Sequence, residues 1–91
     1  MPAKVYCAHI LVKSESEAKA VLELLKKGEK FGNAARAVSR CPSGKRGGDL
    51  GTFTRGKMVR EFESAAFALQ KGEVSGVVKT KFGCHIIKQL E

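Results

Sequence analysis

"KVYCAHILVK", residues 4–13, restricts the fold more than any other part of this chain. Strand alternation sends Val5, Cys7, His9 and Leu11 to one face and Tyr6, Ala8, Ile10 and Val12 to the other. Both faces are largely apolar, so both need cover, and the segment is predicted to be a central strand. With 91 residues the chain forms one domain with one modest core.

The remaining segments supply the cover. "SESEAKAVLELLKKG" predicts a helix: Ser14 and Glu17 form an S-x-x-E capping box, Ala18, Val21, Leu22 and Leu25 make the buried stripe, and Gly28 is the stop. "KFGNAARAVSR" predicts a second, shorter helix with Phe31, Ala34, Ala35 and Val38 on its apolar face. "VREFESAAFALQKG" predicts a third, with Val59, Phe62, Ala66 and Leu69 on one side and Gly72 ending it. "EVSGVVKTKFGCHIIKQLE" predicts a hairpin, Val74 to Lys79 against Cys84 to Leu90. Strand, helix, helix, loop, helix, strand, strand implies an α+β fold, an antiparallel or mixed sheet carrying helices, over residues 1–91.

The loop from Arg40 to about Lys57 contains "CPSGKRGGDLGTF", long enough to be functional or to hide a short strand, for which "LGTF" is the candidate. "GTFTRGKM" nearly spells a P-loop, but Met58 stands where a magnesium-binding hydroxyl belongs and the chain is too short for the parallel sheet that motif needs. Cys7, Cys41 and Cys84 are an odd number without a CxxC pair, which argues against a disulfide framework, a thiol oxidoreductase and a zinc site. Cys41 stands out, beside Pro42 and near Lys45 and Arg46. As a hydrolase nucleophile it would need an orienting partner such as Asp49 or Asn33, and the usual signatures around such cysteines are missing.

His9 and His85 are the only two histidines, both in predicted strands. If the first and last strands are neighbours, the rings meet and hydrogen-bond, with at least one ring neutral. Leu50, Met58 and Phe62 bracket the loop's end and could leave a shallow apolar pocket open.

Apolar residues at 43% and charged residues at 29% are ordinary for a globular protein. No run approaches a membrane span, and the N-terminus lacks a small-residue cleavage site after its short apolar run. Together with the unpaired thiols this predicts a cytoplasmic protein. The net charge of +8 allows nucleic acid or an anionic membrane surface as a partner.

The segments "HILVK", "CPSGKRGGDLGTFTRGKMVREFE" and "AFALQKGEVSGVVKTKFGCHIIK", in that order, resemble the parvulins, peptidyl-prolyl cis/trans isomerases, from about Lys4 to Leu90. The stand-alone, single-domain parvulins are the form most similar. The resemblance implies a four-stranded, mainly antiparallel sheet surrounded by helices, in the order βα3βαβ2, with the site on the concave face. It implies that His9 and His85 match the paired histidines, Cys41 the cysteine-or-aspartate position, and Thr80 the hydroxyl that supports the pair. Leu50, Met58 and Phe62 match the proline pocket, with Phe53 lining it and Phe82 adding apolar wall.

No cofactor or metal is implied, and the partners are proline-containing peptides and unfolded or partly folded chains, bound by a monomer. Parvulins that favour phosphoserine or phosphothreonine carry an arginine-rich loop after the first strand, whereas here "VKSESEAK" runs straight into a helix with Lys13 as the basic residue before it, so phosphate selectivity is not expected. Cys84 also departs from a position often held by an aromatic residue. Lys45 and Arg46 are expected to put positive charge near the substrate entrance, and Asp49 to pin the loop. The rival reading is a basic chaperone-like or nucleic-acid-binding module with incidental isomerase activity. The scarcity of aromatic–basic interleaving speaks against it.

Overall fold

The computed structural model describes residues 4–90; Met1, Pro2, Ala3 and Glu91 of the expected domain lie outside the described residues. The chain runs β1 (Lys4–Val12), α1 (Glu15–Lys26), α2 (Phe31–Val38), a 3₁₀ turn (Pro42–Arg46), β2 (Asp49–Thr54), α3 (Arg60–Ala68), β3 (Val78–Thr80) and β4 (Gly83–Gln89). The sheet order is β2-β1-β4-β3, and β1–β2, β1–β4 and β3–β4 all pair antiparallel. β1 is therefore internal, as its two apolar faces demand. Among the described residues, no helix is long and apolar enough to cross a membrane.

Each face of β1 organises its own core. Ala8, Ile10 and Val12 join Cys84 and Ile86 under α1 and α2, against Ala18, Val21, Phe31, Ala34 and Ala35. Val5 and Cys7 join Ile87 and Phe53 under α3, against Phe62 and Ala66. Burial pushes the Cys7 thiol up to about 11, so it stays a neutral packing group.

Local chemistry sets the ends of the elements. Ser14 Oγ accepts from the Glu17 amide at 3.2 Å, the forward half of a capping box. In place of the return bond, the hydroxyl lies 3.4 Å from the Glu17 carboxylate. Leu22 and Leu25 complete the α1 stripe at its half-buried margin.

Three expectations need correction. Val38, predicted to be buried, is 41% exposed, because α2 ends there and the chain turns so that the Arg40 amide can donate to Leu11 O. α3 does not run on to Gly72. It stops at Ala68, where the buried Gln89 carboxamide, reaching over from β4, donates to Ala66 O and Leu69 O and satisfies carbonyls at the helix end. Gly72, at φ +83°, turns the chain afterwards. The hairpin strand is likewise shorter than Val74 to Lys79. β3 is only Val78–Thr80, and Val74 makes an isolated bridge to Lys88. Ser75 causes the interruption, its hydroxyl accepting from the Ile87 amide while its own amide donates to Ile87 O. The "LGTF" strand is present as part of β2.

Candidate active site

His9 is paired with Ile87 and His85 with Leu11, so the two histidines are diagonal neighbours on the α3 side of the sheet. Their Nδ1 atoms lie 3.0 Å apart, and the rings stack at 5.2 Å and 20°. Phe62 meets both rings nearly perpendicularly, at 5.5 and 5.3 Å. Burial, and secondly the charge on His85, lowers His9 to about 4; burial also lowers His85. Both rings are therefore neutral near pH 7, and one Nδ1 donates to the other.

Thr80 Oγ1 sits 2.8 Å from His85 Nε2 and accepts from the Phe82 amide at 3.1 Å. Among the described residues, His9 Nε2 is buried without a hydrogen-bond partner. The arrangement that leaves no N–H buried and unpaired has His9 Nδ1–H donating to His85 Nδ1 and His85 Nε2–H donating to Thr80, with a bare lone pair on His9 Nε2.

A neutral buried pair implies acid lability. The folded pKa of His9 lies below its ordinary value of 6.5, so the unfolded chain takes up the proton first. Stability is full above about pH 6.5 and falls as the pH drops towards about 4, with His85 adding in the same direction. Urea unfolding at pH 7 and pH 4.5 should show a loss of about 2–3 kcal/mol, and His9→Asn should flatten that profile. An unchanged midpoint in the wild type would exclude a neutral pair.

Cys41 precedes the 3₁₀ turn at the pocket edge. Its Sγ accepts from Ser43 Oγ at 3.2 Å. Ser39 Oγ accepts from the amides of Cys41 and Leu11, at 3.4 and 3.1 Å, and stitches the loop to β1. Above these groups lies an open cavity of about 430 Å³ walled by Leu50, Met58, Phe62 and Phe82, with His9, His85 and Cys41 also lining it. Phe82 is 63% exposed and forms a rim.

The structure thus brings together residues from β1, the loop, β2, α3 and the β3–β4 turn. Thr80 reaches the site through His85. Phe53 does not line the cavity: it is buried behind Phe62, with ring centroids 6.0 Å apart, because its pairing with Val5 places it deep in the core. Lys45 and Arg46 do not line the cavity either. Arg46 and Asp49 flank a separate groove with Arg36 and Lys88. The cavity's cation is Lys57, which the sequence reading passed over along with Leu11 and Val59. Leu11 shares a face with His9, and Lys57 and Val59 flank Met58, so alternation and proximity were the available signals.

Neither suggested hydrolase partner serves Cys41. Asp49 accepts from Tyr6 and Gly51, while Asn33 is engaged with Glu29 and Arg36 on α2. The near P-loop is the end of an antiparallel edge strand and the turn into α3. Cys84 packs in the core under α1 and α2, on the other face of the sheet from His85. Among the described residues, no group of three or more His, Cys, Asp or Glu side chains is placed to hold a metal ion.

Comparison with known proteins agrees with this geometry. The rotamase family described as the PPIC-type PPIASE domain matches residues 9–91. The foldase protein PrsA of Geobacillus kaustophilus is 55% identical over 86 residues, 93% of this chain and 31% of that protein. The crystal structure of PrsA from Bacillus subtilis superposes with a TM-score of 0.95 at 48% identity, covering 98% of this chain and 35% of that one. The solution structure of NmPin, the parvulin of Nitrosopumilus maritimus, gives a TM-score of 0.89 at 52% identity, covering 100% of this chain and 99% of that one. The chain spans about a third of the length of the curated foldases it matches.

Proposed function

The chain belongs to the PPIC-type, or parvulin, family of peptidyl-prolyl cis/trans isomerases, and we propose that it catalyses rotation about X-Pro bonds in peptides and in unfolded or partly folded chains. The observation that carries this reading is the apolar pocket of Leu50, Met58 and Phe62 set directly beside a neutral histidine pair and the Cys41 sulfur. The walls suit a proline ring, and among the described residues no carboxylate lines the cavity as a nucleophile or general base.

The reaction requires none. An X-Pro amide turns over a barrier of about 18–20 kcal/mol that arises from resonance, and unaided rotation takes tens of seconds or longer. The twisted amide has a smaller dipole than the planar one. An apolar wall that holds the ring favours the twisted form, and each ~1.36 kcal/mol gained there is tenfold in rate. The His9–His85–Thr80 chain fixes the dipoles beneath the amide, and Cys41 presents a soft, weakly polar atom to the substrate carbonyl.

Two features support a site without phosphate selectivity. β1 passes through Lys13 directly into the Ser14 cap, leaving no room for an arginine-rich segment. Lys57 is a point charge, and among the described residues no second Lys or Arg lines the cavity to clamp a phosphate with it. A reducing, cytoplasmic setting is supported by Cys7 and Cys84, which pack on opposite faces of the sheet and cannot pair.

Proline exchange followed by NMR on tetrapeptides with Leu, Phe, Ala, Glu or phosphoserine before proline tests the proposal. Acceleration with apolar residues, and little with phosphoserine, is the expected result. A folded protein that accelerates none of them overturns it; preferential turnover of the phosphopeptide overturns the selectivity.

A further inference from the structure

β2 is an edge strand with a break in its register. Phe53 pairs with Val5, Thr52 with Tyr6 and Gly51 with Cys7, but Ala8 pairs with Asp49. Leu50 is the extra residue of a β-bulge. Without the bulge, Leu50 would stand opposite Ala8, whose side chain belongs to the core under α1 and α2, away from the pocket. Instead Leu50 packs against the Val5, Cys7 and Phe62 cluster and lines the pocket. One inserted residue has moved this side chain to the other face of the sheet.

Gly51 permits the bend of the chain: it sits opposite Cys7 at φ +73°, a left-handed conformation that glycine adopts readily. Asp49 holds the arrangement. One carboxylate oxygen accepts from the Gly51 amide at 2.7 Å, just beyond Leu50, and the other accepts from the Tyr6 hydroxyl at 2.6 Å, on the neighbouring strand. The carboxylate therefore spans the bulge and ties it to β1. Among the described residues, no strand pairs with the far side of β2 to do this instead.

We infer that Tyr6 and Asp49 are positioning residues for the isomerase site: they lock the bulge so that Leu50 presents its side chain to the proline ring. This rests on the isomerase reading. Their effect passes through Leu50, so it belongs to ring binding and not to the rotating amide. Asp49→Ala should raise KM about tenfold with kcat within about twofold, the pattern of lost uniform binding. Leu50→Ala should do the same, and the double variant should fall no further. Tyr6→Phe removes one of the two bonds and should raise KM about two- to threefold. Asp49→Asn, which keeps an acceptor for Gly51, should restore most of the affinity.

The tests are these kinetics on one X-Pro peptide together with NOEs from the Leu50 methyl groups to the α3-side core. Multiplying effects of Asp49→Ala and Leu50→Ala, or a loss in kcat with KM unchanged, would overturn the inference. So would unchanged KM and NOEs in folded Asp49→Ala. If Asp49→Ala fails to fold, Tyr6→Phe carries the same readouts. The NOEs need no activity. Their loss in a variant of a protein whose wild type does not isomerise would sink the isomerase reading and leave the bulge lock standing. Intact NOEs and KM beside an active wild type would sink the lock alone.

Discussion

Cys41→Ala should lower kcat/KM for X-Pro isomerisation by about a hundredfold, the scale of one fixed polar group aimed at a reacting carbonyl, while Cys41→Asp should retain a substantial share. The geometry explains the asymmetry. Leu50, Met58, Phe62 and Phe82 make the cavity largely apolar, and both histidines are neutral, so Cys41 is one of the few polar side chains lining it. Its Sγ is already oriented by Ser43 Oγ at 3.2 Å, and a carboxylate at this position could accept the same bond. Alanine removes the polar atom and leaves the Ser43 hydroxyl without its acceptor. A mechanism through polarity tolerates aspartate; a covalent mechanism does not. Single-turnover exchange rates of the two variants decide the matter. Activity confined to the native thiol would mean that the sulfur attacks the substrate.

Gly48→Ala should cost more than about 4 kcal/mol, summing left-handed strain, backbone overlap and a lost hydrogen bond. Gly48 has φ +85°, and a Cβ there would overlap the His9 carbonyl oxygen and press on Ala35 Cβ. The Gly48 carbonyl also accepts the His9 amide at 2.9 Å. The clash falls on backbone, so no rotamer change relieves it. A domain of this size has about 5–13 kcal/mol in all, so roughly a third to most of its stability would be lost. Gly56→Ala is the control: φ is +89°, but nothing lies within 4 Å of the added methyl, so only the strain of about 1–2 kcal/mol remains. Urea midpoints for the two variants should differ widely. Equal midpoints would mean that the loop does not pack against β1.

The Gly48 contact shows where sequence reading ran out. The glycines of "CPSGKRGGDLGTF" mark a tight backbone path, but not that one of them abuts the backbone of His9 in the candidate site. Closeness to Cys41 in the chain leads to the expectation that Lys45 and Arg46 stand near the substrate entrance. The 3₁₀ turn sends Arg46 to another groove, and Lys57 comes to the pocket from the following loop. α3 looked longer because its apolar residues continue in helical phase to Leu69. Its end is set by Gln89, a residue twenty positions further on whose carboxamide the sequence pattern gives no reason to notice. Phe53 was adjacent to the pocket residues in the chain, but its register places it one layer behind them.

What the sequence determined by itself was local or periodic. The alternation in β1 made it internal and sorted Cys7 and His9 from Ala8 and Ile10, and the helical stripes of α1 and α2 chose the face those helices cover. The pairing of two solitary histidines also followed from the sequence, once the first and last strands were allowed to be neighbours. Only the tertiary structure decided the face on which Leu50 stands, because a single inserted residue reverses strand alternation and nothing in the sequence marks which residue is inserted. The same holds for the neutrality of His9 and His85, since a pKa depends on how much water the finished fold excludes.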